Sequence, residues 1–387
     1  MNDHSNADAE HVIARFAGDE SGPTLIVFGS LHGNEAAGVA ALRRVAAVVE
    51  ERDLLLRGRV YFLAGNMRAV ATGVRFIDAD LNRHWSGANV IRNLPDTAIP
   101  PQLAEDREQA ELLKVLVPLL ATARDEVYAI DLHSTSAEGV PFATMGDTLR
   151  NRAFAQKFPI TVLLGIEEQL EGTLLEYLNN LGVVTLGFEG GQHYADSTVG
   201  THAALVTLAL VHSGIASAAE LPVDEAEATL AKATGRKRIV EVRYRQGIEE
   251  GDVFAMRPGF ENFDTVKRGL VLATQNGLEV QAPETGLVLM PLYQKLGEDG
   301  FFIGREVAPF WIWLSGVLRR LRVGDLMPIL PGVRRSEKNA DVLEIDTTVA
   351  RYFPMQIFHL LGFRKLRWTE GQLVVSRRKF DRKGPFG

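Results

Sequence analysis

Thr24-Leu25-Ile26-Val27-Phe28-Gly29-Ser30-Leu31-His32-Gly33-Asn34-Glu35 is the stretch that decides how this chain folds. A continuous apolar run stops in small and polar residues, which predicts a strand covered on both faces with a loop at its carboxyl end. Further along, Val127–Leu132 repeats the pattern and stops at Asp131-Leu132-His133. Val183–Phe188 does so again and stops at Glu189-Gly190-Gly191. Two histidines and a glutamate from separate strand ends match the ligands of a catalytic zinc, which leaves its fourth position to water. One loop can present both His32 and Glu35, whereas His133 must come from another strand. Asp131, two residues before His133 in a strand, faces the same side and can hydrogen-bond a ligand from behind. Glu189 becomes a candidate for proton transfer.

Working outward, the same alternation fills residues 1–215. Strands are predicted at Thr24–Ser30, Val60–Ala64, Val127–Leu132, Ile160–Leu164 and Val183–Phe188. Helices are predicted at Ala36–Glu51, Gln102–Ala123, Thr148–Lys157, Glu171–Asn180 and Val199–His212. That is the pattern of an α/β domain with a mostly parallel sheet flanked by helices. Ligands of such sheets bind beyond the carboxyl ends of the strands, where all three runs fall. Residues 216–236, rich in Ala, Glu and Asp, read as a helical or partly flexible linker. Residues 237–304 switch to short strands, Arg238–Arg245, Val253–Met256, Leu270–Thr274, Leu278–Ala282 and Gly286–Pro291, punctuated by Gly247, Gly251, Gly269, Gly277 and Gly300, which predicts a small all-β domain. Residues 305–387 remain as a C-terminal extension.

Composition narrows the chemistry. Of 387 residues 46% are hydrophobic and 24% charged, as in ordinary soluble globular proteins. With no cysteine, thiol nucleophiles, disulfides and thiolate metal sites are excluded, so His, Asp or Glu must hold any metal. The polar Met1–Glu20 segment does not look like a secretory signal, and no apolar run is long enough to span a membrane, so the expected location is cytoplasmic. His4 and His11 are expected in a mobile N-terminus. Residues 305–387 hold 16 Lys/Arg and 8 Asp/Glu, leaving 26 and 41 for the other 304 residues: +8 against −15. A basic extension can meet an anionic partner, an acidic face of its own chain, or a second subunit, so a homo-oligomer is compatible. In Ala308–Leu321, Phe310, Trp311, Trp313, Leu314, Val317 and Leu318 form an apolar stripe before Arg319, Arg320 and Arg322. It is expected to pack on the β domain, with a membrane surface as the alternative. No basic-aromatic groove pattern suggests nucleic acid.

Gly29-Ser30-Leu31-His32-Gly33-Asn34-Glu35, Arg75 with Asp80-Leu81-Asn82-Arg83, Asp131-Leu132-His133-Ser134 and Phe188-Glu189-Gly190-Gly191 occur in that order. This is similar to the succinylglutamate desuccinylase/aspartoacylase family, deacylases of the zinc carboxypeptidase-like fold; Gly65-Asn66 also fits. The resemblance covers roughly residues 24–300 and leaves the extension unexplained. It implies one Zn2+ on His32, Glu35 and His133, with Glu189 as the proton-transfer group. It further implies Arg75 at the scissile carbonyl, Asn82 and Arg83 on a substrate carboxylate, and Asn66 orienting Arg75 or the substrate. Arginine suits both tasks, because its charge is permanent and its fork binds a carboxylate twice. The implied reaction is hydrolysis of an N-acyl amino acid or similar small-molecule carboxylate. A zinc carboxypeptidase on short peptides, an ester hydrolase and a noncatalytic metal-binding scaffold are the alternatives. His84, Trp85 and His193 are weaker candidates to line the pocket. Relatives of the aspartoacylase type carry another arginine shortly before the catalytic glutamate. Here residues 153–235 contain none, and Asn179 and Asn180 stand in that neighbourhood.

Overall fold

Leu25, Ile26, Val27 and Phe28 are all fully buried, as an apolar run with no polar face requires. They belong to the second strand of a computed structural model that describes residues 11–18, 20–97, 99–294, 297–346, 355–369 and 372–386. The first eight strands are β1 (Val12–Ala17), β2 (Glu20–Gly29), β3 (Arg57–Ala64), β4 (Val127–Thr135), β5 (Phe142–Thr144), β6 (Thr161–Leu164), β7 (Val184–Gln192) and β8 (Ile239–Gly247). Next come β9 (Phe254–Met256), β10 (Thr265–Val266), β11 (Val271–Gln275), β12 (Leu278–Gln281), β13 (Gly286–Leu289) and β14 (Asp299–Glu306). The large sheet has the order β1-β3-β2-β4-β7-β5-β6-β8-β14-β13-β10. Its centre, β3-β2-β4-β7, is parallel. Side chains alternate along β2, so Leu25 and Val27 meet one cluster with helices Ala37–Glu51 and Asp196–His212. Ile26 and Phe28 meet the other, with helix Ala104–Ala121. Each such buried side chain contributes about 1.5–3 kcal/mol, so the sheet is held from both faces.

The five strands expected in 237–304 are present, but β8 pairs with β6, and β14, β13 and β10 continue the large sheet antiparallel. Only β12, β11 and β9 form a separate three-stranded sheet. The stretch before them contains a helix, Val223–Thr234, whose Ala226 and Leu230 enter the catalytic-domain core. The N-terminus corrects an expectation. His11 is buried, with Nδ1 on the Ala64 carbonyl and Nε2 on Glu111, because β1 pairs with β3. His4 lies outside the described residues.

In the extension, helix Pro309–Arg320 precedes β15 (Val333–Arg335), β16 (Val342–Asp346), helix Met355–Leu360, β17 (Phe363–Thr369) and β18 (Gln372–Arg377). The four strands form an antiparallel sheet, β15-β16-β18-β17, over a core of its own that includes Ile345, Phe358 and Val375. Charge ties it to the catalytic domain. Arg319 pairs with Asp147, Arg364 with Glu176, and Arg378 with Glu167 and Glu168. The apolar stripe of Pro309–Arg320 does not pack on the β domain: Phe310, Trp311 and Trp313 are exposed.

Candidate metal centre and substrate cavity

Three adjacent strands deliver the site. His32 and Glu35 follow β2, His133 lies near the end of β4, and Glu189 stands directly opposite His133 on β7. His32, Glu35 and His133 are buried, and one ligand atom from each lies within 4.8 Å of the others. The hydrogen bonds around them are ordered. Nδ1 of His32 and Nδ1 of His133 point at the two Glu35 carboxylate oxygens, at 2.9 and 3.0 Å. Behind them, Nε2 of His32 faces Asp80 at 3.1 Å and Nε2 of His133 faces Asp131 at 2.6 Å. A carboxylate behind each imidazole favours the tautomer that donates from Nε2 and leaves the Nδ1 lone pair facing forward. Three acceptors then converge on one point, an arrangement that a cation reconciles. The same groups also act on one another as charges. Burial alone would raise Glu35, yet His32 and His133 hold it well below the usual carboxylate range. Burial alone would lower His133, yet Asp131 and Glu35 hold it well above the usual imidazole value.

Glu189 is the counterpart. Its Oε2 is buried without a hydrogen-bond partner. Burial, with Glu35 and Asp131 nearby, pushes the carboxyl up to about 8 against the opposing pull of His133 and Arg75. The glycine after it allows a close approach: a Cβ at Gly190 would sit 2.2–2.3 Å from the ring of His202. That ring, through Nε2, reaches the His133 carbonyl at 2.8 Å. His202 thus braces the ligand strand, a role its sequence position did not disclose.

The arginine run supplies the cations. Arg75 bonds Asp80 at 3.0 Å and lies 3.7 Å from Glu35. Arg83 bonds Asp299 on β14 at 3.1 Å. Asn82 places Nδ2 at 3.2 Å from His133 Nε2 and accepts from the Leu174 amide through Oδ1. Asp80, quoted in the sequence only as part of the arginine run and given no role there, touches both His32 and Arg75 and caps a short helical turn. All three of Arg75, Asn82 and Arg83 line a cavity of about 190 Å³ together with the metal cluster and Glu189. Asn66 does not: it is fully buried, caps helix Met67–Thr72 and bonds Glu105. His193 lines the cavity and faces Ser134 at 2.7 Å, while His84 is held by Asp106 away from it.

Part of the cavity wall comes from beyond the first 215 residues. Met290, Leu292, Gln294 and Asp299 contribute from the β13–β14 region, and Arg364, Arg378 and Lys379 from the extension. Opposite the extension stand Glu167, Glu176, Asn179 and Asn180.

Comparison with known proteins places this geometry. The profile of the succinylglutamate desuccinylase/aspartoacylase catalytic domain matches residues 21–217. The chain belongs to this family. A succinylglutamate desuccinylase of Photorhabdus laumondii subsp. laumondii is 28% identical over 158 residues, 39% of this chain and 45% of that protein. One from Pseudomonas putida is 39% identical over 73 residues, 19% and 22% of the two chains. The chain therefore spans less than half the length of these curated family members. Among solved structures, the product-bound ectoine utilization protein EutE (DoeB) of Ruegeria pomeroyi matches with a TM-score of 0.54 at 22% identity, over 75% of this chain and 87% of that one. A succinylglutamate desuccinylase/aspartoacylase of Rhodobacter sphaeroides matches at 0.56 and 19%, over 77% and 88%. Both show the family fold.

Proposed function

We propose that this family member hydrolyses the amide bond of an N-acyl amino acid or a related small carboxylate, with zinc held by His32, Glu35 and His133. The supporting observation is the convergence of two Nδ1 atoms and one carboxylate, each imidazole backed by its own carboxylate. Two histidines and a glutamate are a catalytic zinc set, so the residues fit the ion. Bound there, zinc supplies Lewis acidity and lowers the pKa of a coordinated water.

The chain's own groups do the rest. A carboxyl titrating near neutrality, as Glu189 does, can take a proton from the attacking water and return it to the departing amine. Arg75, fixed by Asp80, offers a permanent positive charge to the oxyanion that develops on the acyl carbon. Asn82 and Arg83, on the same wall, hold the substrate carboxylate. Met290, Leu292 and Gln294 add a wall from beyond the first 215 residues, which favours a short substrate over a polypeptide.

The test is amine release by zinc-loaded protein from a panel of N-acyl amino acids, with short peptides and the Glu189→Ala variant alongside. Turnover of one acyl class, lost in the variant while zinc remains, supports the proposal. Turnover of peptides alone would make the protein a carboxypeptidase. Bound zinc without turnover of either class would favour a noncatalytic metal protein.

A further inference from the structure

The helix that opens the extension is inside out. A surface helix normally turns its apolar stripe toward the core and its charged face toward water. In Pro309–Arg320 the buried residues are Ser315, Gly316 and Arg319, while among the apolar ones Ile312 and Leu318 pack inward on neighbouring cores. Ser315 donates to the Leu360 carbonyl, and Arg319 is spent on Asp147, Asp381 and main-chain oxygens. Phe310, Trp311 and Trp313 are 56%, 52% and 62% exposed, and Leu321 just beyond is 70% exposed. At about 100° per residue, Phe310, Leu314, Val317 and Leu321 fall on one line, flanked by Trp311 on one side and Trp313 on the other. The turn that follows adds Leu326 and Ile329, 58% and 78% exposed. The rings stack on one another, Phe310 lying 5.4 Å from Trp311 and 5.9 Å from Trp313 between centroids. So many large apolar groups on one exposed element mark an interaction surface.

We infer that this face docks on the surface of an anionic lipid bilayer. Aromatic rings on an amphipathic helix with arginines beside them suit the boundary between headgroups and acyl chains. Arg320 and Arg322, both exposed, stand at the end of the stripe. Arg319, Arg364 and Arg378 are taken up by carboxylates of the first 215 residues, yet the extension's other 13 Lys/Arg still outnumber its 8 Asp/Glu, the complement of an anionic leaflet. A second copy of the chain suits the face less well. A two-fold contact brings the same patch of both subunits together and would set two +8 extensions against each other. Docking is peripheral, since no helix among the described residues is long and apolar enough to cross a membrane.

The experiment is co-sedimentation of the full chain with phosphatidylglycerol–phosphatidylcholine vesicles and with phosphatidylcholine vesicles, following tryptophan fluorescence. Binding to the anionic vesicles with a blue shift, weakened by salt, is expected. The double variant Phe310→Ser, Trp313→Ser removes only exposed rings and should lower the partition coefficient about tenfold or more. Arg320→Gln should lower it about fivefold and flatten the salt dependence. A circular-dichroism spectrum and zinc content unchanged in the variants separate docking from folding. No binding to anionic vesicles at low salt, or binding indifferent to the double variant, overturns the inference. So does a dimer in sedimentation velocity that the double variant dissolves while vesicles are ignored. None of these readouts depends on enzymatic turnover.

Discussion

Two buried clusters of charge sit in this molecule, and they are built on opposite plans. Around Asp147, cationic donors meet anionic acceptors. Arg152 and Arg319 reach its carboxylate at 2.8 and 2.7 Å, and Arg319 spends its remaining donors on Asp381 and on the carbonyls of Asp147, His359 and Leu360. Around Glu35, two imidazole Nδ1 atoms converge on one carboxylate, and the buried Oε2 of Glu189 nearby has no partner. The first cluster balances cations against anions and joins the extension to the first 215 residues. The second gathers the ligand types that suit a metal cation. A third group, His11 with Glu108 and Glu111, is as tightly spaced as the metal set. Arg68 bonds both of its glutamates, which makes it an ion-pair network of the first kind. Spacing alone therefore does not distinguish a metal site; the balance of donors and acceptors does.

That contrast is open to direct attack. His32→Ala should remove zinc altogether and take amide hydrolysis to background, whereas Glu189→Gln should keep zinc and lose about 10²–10⁴-fold in kcat. Metal content per chain beside turnover separates the two. If His32→Ala still binds one zinc, the acceptor cluster is not the site. Asp147→Asn should do the reverse. It strands Arg152 and Arg319 in the interior and should cost about 3–5 kcal/mol in chemical denaturation while folded protein keeps its zinc. A stability equal to wild type would mean that the completed cluster contributes nothing to holding the extension.

The same contrast explains what the sequence disclosed. The candidate metal set could be named because chemistry confined to His and Glu, at the ends of apolar strands, leaves few interpretations. β2, β4 and β7 are themselves legible as buried runs. Asp80 and His202 were not, because their roles exist only once β2, β4 and β7 are side by side. The extension was misjudged where an apolar stripe was assumed to face inward. In Pro309–Arg320 the demand of Asp147 for counter-charge turned Arg319 inward and the rings outward. β8 was recognised as a strand, but nothing local indicated that it would pair with β6 and carry the β region into the central sheet.

His359 offers a milder probe of the completed kind of cluster. It lies between Glu168 at 2.9 Å and Glu241 at 3.1 Å, with Arg378 also near. Burial and Arg378 oppose its charge, but the two carboxylates prevail and raise it to about 9 from 6.5. A raised imidazole stabilises the folded state fully below its unfolded value and loses that contribution as pH climbs through the folded one. Wild type should thus lose on the order of 1–3 kcal/mol between pH 6.5 and about 9, and His359→Asn should not. Parallel stability curves for the two proteins over that window would remove His359 from the latch.

The smallest effect expected is also the one that joins the two regions. Arg364 of the extension bonds Glu176 at 3.1 Å, and both line the substrate cavity, where residues 153–235 supply no arginine. Arg364→Gln leaves the Glu176 carboxylate unbalanced inside that wall. At an effective dielectric constant suited to a half-exposed site, one uncompensated charge is worth about 1 kcal/mol, or about fivefold in binding. KM should therefore rise about fivefold for N-acyl substrates whose acyl group ends in a carboxylate. It should barely change for a neutral acyl group, with kcat steady for both, since Arg364 is bonded to Glu176 and has no part in the proton transfer or the metal cluster. Equal KM changes for the two acyl classes would mean that the extension shapes the cavity without reading its charge. An unchanged KM for both would confine the extension to its structural and surface roles.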